Sequence, residues 1–326
     1  QQRGDQRGDL IAVQHGIETA DATRAADLRR READLLAEHG EAWLGIAAVH
    51  RKLLRVRWRC GFVHVARVLC DDDGDAVAAL NALLAAPAVG STLAELRIGG
   101  YRVEYDDSPD LRCQPVIDAL CARWPAALRR LSVNDGGLSM INDSRPILLG
   151  ALTSVASQLE ELVAQGSIEL GALGALPRLR RLELRTPRVP PQLWTIDAWP
   201  ALETLSLWCP VIHPLSTLLA PARFPRLRSL GLVGTADTRA VVEELAKLPI
   251  ARRLEQLDLS RGTLTAGDMP KPLAAARLDL RWNYLPKKAA AALEAAGVTA
   301  LPQRTGRQHR SAIDRSEVPA ALARCR

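Results

Sequence analysis

Apolar residues recur along this chain in one short pattern, LxxLxL, with polar residues between them. It stands as Leu93-Leu96-Ile98, Leu128-Leu131-Val133, a weaker Leu159-Leu162-Ala164, Leu179-Leu182-Leu184, Leu202-Leu205-Leu207, Leu227-Leu230-Leu232 and Leu254-Leu257-Leu259. A last copy, Ala275-Leu278-Leu280, runs on to Asn283 and Leu285. The steps between first positions are 35, 31, 20, 23, 25, 27 and 21 residues. In LxL the two apolar residues point to one side of a short strand and the residue between them to the other. One such unit cannot cover its own apolar face, so units stack and share a core. The pattern predicts about eight short parallel strands, with an uneven stagger where the early steps are long.

Between the strands, the period changes to that of helices. Residues 75–84 place Val77, Leu80, Leu83 and Leu84 on one side, and 116–124 stops at Pro125. Residues 144–157 open with Ser144 as a cap and Pro146 in the first turn. Residues 237–248 align Val241, Val242, Leu245 and Leu248, and 287–296 ends at Gly297. The Pro-rich stretch 187–200 predicts irregular chain. Upstream of the repeats, 22–39 reads as a helix with Leu28, Leu35 and Leu36 inward. Residues 53–68 alternate as two strands with a turn near Gly61, a pair placed to cap the first repeat.

The repeated motif resembles the leucine-rich-repeat family over roughly residues 91–300. The resemblance implies an α/β fold, an open leucine-rich-repeat solenoid (horseshoe) with parallel strands on its concave face. An N-terminal helix and strand pair would cap it. The asparagine that usually follows the pattern, and satisfies backbone groups in the turn, is present only as Asn283. Tyr101, Gly136, Pro210, Thr235 and Gly262 hold the equivalent place, so the turns should be irregular. A second resemblance lies in the first 65 residues or so. Gln2-Arg3-Gly4-Asp5-Gln6-Arg7-Gly8-Asp9-Leu10-Ile11-Ala12-Val13-Gln14, Ala42-Trp43-Leu44-Gly45 and Arg59-Cys60-Gly61-Phe62-Val63 look like the short repeat-companion domain that precedes many bacterial leucine-rich-repeat proteins. Gln6 stands where that family has Pro, and its upstream half is missing. The family implies protein interaction. The expected organisation is a helical segment at 1–50, a cap at 51–90, repeats at 91–300 and a basic tail at 301–326.

Composition narrows the class. At 48% hydrophobic and 25% charged residues the chain is that of a globular protein. The longest apolar run, 76–89, is broken by Asn81 and is too short to span a bilayer. With 4% aromatics the core must be built from Leu, Val and Ala. The six cysteines have no metal-ligand spacing and read as reduced thiols, which predicts a cytoplasmic protein. The polar start is not a signal peptide and reads as the interior of a longer chain. Net charge is +6, and residues 301–326 carry six arginines against two acids. Such a tail reads first as a solvated end and second as an arm for an acidic partner.

No catalytic constellation emerges: HExxH, GxSxG and a P-loop are absent. Asp71-Asp72-Asp73-Gly74-Asp75 fails as an EF-hand, since Leu69 and Leu80 fall at ligand positions; Asp75 reads as a helix cap. The two Arg-Gly-Asp triplets belong to the companion-domain motif rather than to an adhesion site. No enzyme, cofactor or metal is expected. The candidate site is the row of residues flanking the strand leucines on the concave side, where Arg97, Arg130, Asn134, Arg181, Glu183, Arg185, Trp208, Asp258, Asp279 and Arg281 stand out. The row is mixed in sign, as a protein interface is; a nucleic-acid groove would be uniformly basic. Trp208 is its expected hot spot, set against the plainer reading that it packs on Arg185 and fills the face. The expected function is a non-enzymatic scaffold that binds a protein partner, potentially within a larger assembly, with no membrane contact. The alternative is nucleic-acid or acidic-partner binding through the tail and Arg55, Arg57 and Arg59.

Overall fold

The computed structural model describes residues 6–70, 75–99, 113–134, 146–173, 176–196, 198–212, 214–265 and 277–304. Asp71–Gly74 of the acidic loop, Ser144, Tyr101, Gly136, Ala275, the first Arg-Gly-Asp triplet and the tail beyond 304 lie outside them. The chain is α/β and divides into two compact units, Gln1–Gln165 and Gly166–Arg326. Among the described residues there are two short strands and ten longer ones, and within each unit the longer strands pair in parallel apart from the first pair.

The first unit opens with helices α1 (Arg7–Thr19) and α2 (Ala22–Leu44). Asp21 caps α2, its carboxylate accepting from the Arg24 amide at 2.9 Å. Strands β1 (Leu54–Arg59) and β2 (Phe62–Val68) form the antiparallel hairpin that the alternation predicts. Cys60 and Gly61 both take positive φ in its turn. A Cβ on Gly61 would lie 2.8 Å from the Ile11 side chain, so α1 can pack here only over a glycine. The Gln14 side chain accepts the Gly61 amide at 2.9 Å and donates to Glu32 at 2.7 Å. One buried amide thus joins α1, α2 and the hairpin. Trp43 meets Trp58 edge-on with centroids 5.6 Å apart. Gln14 of the first segment quoted for the companion-domain resemblance thus touches Gly61 of the third, and Trp43 of the second touches the hairpin at Trp58.

From β2 the sheet continues in parallel through β3 (Glu95–Ile98) and β4 (Arg130–Val133) to β6 (Glu161–Gln165). Ala66, Leu96, Leu131 and Leu162 align across it, all buried. Helices α3 (Ala76–Ala85) and α4 (Cys113–Ala122) supply Leu80, Leu83, Ile117 and Leu120 to the core. Two expectations need correction. Residues 144–157 do not form one helix. Ile147 and Leu149 are buried on either side of exposed Leu148, a two-residue period that makes the short strand β5 (Ile147–Leu148). A single turn α5 (Leu152–Val155) follows. The Gln114 side chain on α4 holds the Leu148 amide at 2.8 Å. Asp75 precedes α3 but its carboxylate makes no cap hydrogen bond.

The second unit starts with the short β7 (Ile168–Glu169). Five parallel strands follow in sequence order: β8 (Arg181–Arg185), β9 (Thr204–Trp208), β10 (Ser229–Val233), β11 (Gln256–Asp258) and β12 (Arg277–Asp279). Leu182, Leu205, Leu230, Leu257 and Leu278 lie in register. The first leucines of the pattern, Leu179, Leu202, Leu227 and Leu254, are buried below them. Each fully buried leucine contributes about 1.5–3 kcal/mol. The connecting helices are short: α6 (Gln192–Thr195) and α7 (Leu215–Leu218) are single turns, and α8 (Thr238–Leu245) and α9 (Lys287–Ala295) are longer. Steps of 23 and 25 residues leave room for little more than one turn.

The one expected turn asparagine does its expected work. Asn283 is fully buried, donates to the carbonyls of Leu259 and Leu280 at 3.0 and 2.9 Å, and accepts the Leu264 amide at 3.0 Å. One repeat earlier, Gly262 leaves space for a threonine network instead. Thr238 Oγ1 accepts the Thr263 amide at 2.8 Å, and Thr263 Oγ1 donates to the Ala236 carbonyl at 3.0 Å. Asn283→Ala leaves the Leu259 carbonyl and the Leu264 amide without partners, while the Leu280 carbonyl keeps the Gln303 side chain at 3.0 Å, and is expected to cost roughly 2–4 kcal/mol. Urea unfolding should show this as a lower midpoint, and an unchanged midpoint would remove the asparagine from the turn's support.

Candidate functional site

Alternation on β8–β12 sends the leucines into the core and the residues between them to the opposite, polar face. The leucine register then fixes which polar residues are neighbours. Arg181, Thr204, Ser229, Gln256 and Arg277 form one row across the five strands. Glu183, Ser206, Gly231, Asp258 and Asp279 form the next. Arg185, Trp208 and Val233 begin a third, with Ser260 and Arg281 two residues beyond Asp258 and Asp279. A row with basic ends is thus followed by an acidic row and then by another carrying arginines.

Several of these charges are already paired. Glu183 has only 8% of its side chain exposed, and both Arg181 and Arg185 bind it, at 3.0 and 2.7 Å. Arg281 grips both oxygens of Asp279, with contacts of 2.6–3.1 Å. That pairing and its charge raise the Arg281 pKa. Trp208 is half-buried. Its indole donates to Ser206 Oγ at 3.2 Å. The Arg185 guanidinium lies 4.7 Å from the ring centroid and that of Arg261 5.5 Å. The contact with Arg185 that the plainer, face-filling reading of Trp208 predicts is therefore present, and Arg261, which the sequence pattern did not single out, is a second. Ser260 and Val233, expected on the open face, are buried.

Asp258 differs from its neighbours. Its strand reads Gln256-Leu-Asp258-Leu-Ser260, where β8 and β12 place arginines on both sides of the acid. One carboxylate oxygen accepts the Ser260 amide at 2.8 Å. Burial, and next the charge of Asp279, push its pKa up, against the Ser260 hydrogen bonds and Arg281. A hollow of about 400 Å³ opens beside it, with Ser206, Gly231, Gln256, Asp279 and Thr299 among its walls.

In the first unit, Glu95, Arg130 and Glu161 share a row, with Arg97 two residues along β3. Arg97 binds Glu95 at 2.6 Å, and Arg130 reaches Glu161 at 3.2 Å and Glu95 at 3.7 Å. Asn134 lies at positive φ and donates to the Gln165 carbonyl at 3.1 Å. Its amide supports the backbone in the way Asn283 does. Sequence reading also missed a line of pairs at the strand entrances: Arg129–Glu160, Arg180–Glu203 and Arg228–Glu255, at 3.8, 2.8 and 2.8 Å. Comparing the residue after each leading leucine would have found it. Arg180 holds the Glu203 carboxyl below its usual range.

The alternative basic site is only partly assembled. Arg55, Arg57 and Arg59 all point outward from β1. Arg55 is spent on the carbonyls of Arg51, Lys52 and Leu54, and Arg59 lies 3.7 Å from Glu18. Among the described residues no three His, Cys, Asp or Glu side chains come together to hold a metal ion. Among the described residues Cys60, Cys70, Cys113, Cys121 and Cys209 form no disulfide, and burial with Asp118 pushes Cys121 up to about 11. No helix of the described residues is long and apolar enough to cross a membrane.

No family model matches the chain, and no curated protein matches it. Among solved structures, it is similar to a Bacteroides fragilis protein determined as a structural genomics target. The TM-score is 0.55 at 18% identity, covering 87% of this chain and 84% of that one. This is a likeness of fold: an α/β architecture with a large, mostly parallel sheet.

The raised Asp258 pKa means that the folded chain binds more protons than the unfolded one in that window. Stability therefore falls as pH rises through it. Asp258→Asn keeps the acceptor for the Ser260 amide and removes the buried charge. It should unfold at the same or a higher temperature than wild type at pH 7, with the difference fading towards pH 4. A variant clearly less stable at pH 7 would show that the charge is compensated.

Proposed function

We propose that this chain is a leucine-rich-repeat solenoid and that the polar face of its strands is the concave surface of a non-enzymatic scaffold for a protein partner. The observation that carries the reading is Trp208, half-buried on a strand face and flanked by Arg185 and Arg261. Trp and Arg dominate the energetics of protein interfaces, and a surface mixed in sign suits a protein better than a polyanion. The eight strands at the positions of the eight LxxLxL motifs support the repeat assignment, as does Asn283 in its turn. The contact of Gln14 with the Cys60–Gly61 turn supports the repeat-companion resemblance. The free thiols suit a reducing compartment such as the cytoplasm. The mixed-sign face leaves room for the chain to act as one subunit of a larger assembly.

The test is capture from native lysate, with nuclease, near physiological salt, using wild type and Trp208→Ala in parallel. The reading expects a stoichiometric protein held by wild type. It expects Trp208→Ala to weaken binding by about 2 kcal/mol or more, roughly thirtyfold. Capture of nucleic acid alone, abolished by nuclease, would overturn it and favour the arginines of β1 and the tail.

A further inference from the structure

The polar face of the second unit carries an unbalanced charge beside an unfilled space. Strands β8 and β12 read Arg-Leu-Glu-Leu-Arg and Arg-Leu-Asp-Leu-Arg, so each supplies its own acid with arginines. Strand β11 does not: Gln256 and Ser260 flank Asp258. Among the described residues no cation forms an ion pair with Asp258. Next to it in register stands Gly231, and beyond Gly231 stands Ser206. A Cβ on Gly231 would lie 2.8 Å from Ser206 Oγ, so the hydroxyl borders the glycine on one side, and Asp258, its partner in register and a wall of the same hollow, stands on the other.

We propose that the hollow above Gly231 is the docking point for a basic side chain of the protein partner, an arginine or lysine with acidic residues beside it in its own sequence. The proposal deepens the scaffold reading and rests on it. A cation there meets Asp258 and Asp279 on one side and Ser206 on the other; the walls also include Arg181, which Glu183 already neutralises, and Arg277. The acidic neighbours have counterparts too. Arg277 in the first row and Arg261 beside Trp208 pair with no carboxylate among the described residues. The partner's sign order, acid–base–acid, is the complement of the three rows. Complementary order of this kind selects partners by penalising like-charge juxtaposition.

Other occupants fit worse. An anion could meet Arg277 at the wall of the hollow, but beside Gly231 it would face the unpaired Asp258, and Arg181 is already bound to Glu183. An apolar side chain would bury Asp258 further without a counter-charge, which is costly. A hard cation such as calcium needs six to eight oxygens, and here one of the two carboxylates is already held by Arg281.

The experiment is an amide-resolved NMR titration of the whole chain with Nα-acetyl-L-argininamide, and in parallel with Nα-acetyl-L-glutamate. The arginine probe should move the Gly231, Asp258 and Asp279 amides saturably, and the glutamate probe should leave them in place. Asp258→Asn should weaken the arginine probe about tenfold, the loss of one charge-assisted contact. Gly231→Ser, which fills the hollow, should do the same; Asp258→Asn stands as the primary variant because it adds no bulk. Unmoved amides, glutamate moving them instead, or Asp258→Asn binding argininamide as wild type does would each overturn the proposal. Equal capture of the lysate partner by wild type and Asp258→Asn would overturn it as well. Saturable argininamide binding with no partner captured by wild type would sink the scaffold reading and leave the cation site standing.

Discussion

Everything on the polar face of this protein follows from the inability of an LxL strand to bury itself. Two leucines on one side of a strand of three to five residues and its exit leave an apolar surface that only the next strand's leucines can cover. The register is thereby set from beneath. Leu182, Leu205, Leu230, Leu257 and Leu278 must align, and a one-residue slip would turn each of them outward. Once they align, the neighbours of every polar residue are settled as well. Gly231 sits between Ser206 and Asp258 because Leu230 sits between Leu205 and Leu257.

That dependence explains why the face has two kinds of charge. Residues two apart on one strand share a side, so Arg181, Glu183 and Arg185 neutralise one another within a single strand. Arg281 and Asp279 do the same. The Arg281–Asp279 pair, with its arginine half in solvent, contributes little to stability, about 0–1 kcal/mol. The larger effect of such pairing is to leave a few charges uncompensated against a neutral background. Asp258, Arg261 and Arg277 are those charges, and they cluster on the same part of the same unit.

The strand positions were legible in the sequence because each depends on a local three-leucine pattern that nothing in the structure overrides. All eight strands fall on their motifs, and Asn283 was readable for the same reason. Irregular connections were harder. Residues 144–157 carry a cap-like Ser144 and an early Pro146, which suggest a helix, yet alternation at Ile147, Leu148 and Leu149 wins because only one side of that short segment meets the core. Helix α1 was hidden by its glycines, Gly8 and Gly16. Gly16 is explained by contact: a Cβ there would come within 3.1 Å of Leu28. Candidate site residues were legible as a face but not as partners. The sequence places Trp208, Arg185 and Asp258 on one side of the sheet. It does not show that Arg261, beyond the end of β11 and at positive φ, comes back over Trp208.

The same geometry gives Trp208 a character beyond that of an exposed aromatic. Its indole N–H is already bound to Ser206, and cations approach its ring from β8 and from the turn after β11. A side chain held at several points loses little further freedom when a partner covers it, so less of the contact energy is offset by ordering. Arg261 is tied to the ring without a carboxylate of its own, so the charge it presents is oriented and unspent. A rigid aromatic, an oriented arginine and an uncompensated carboxylate beside a hollow are all set by one leucine register. A slip in any one strand would therefore disturb this arrangement together with the core, because the polar rows and the leucine rows are both built across strands.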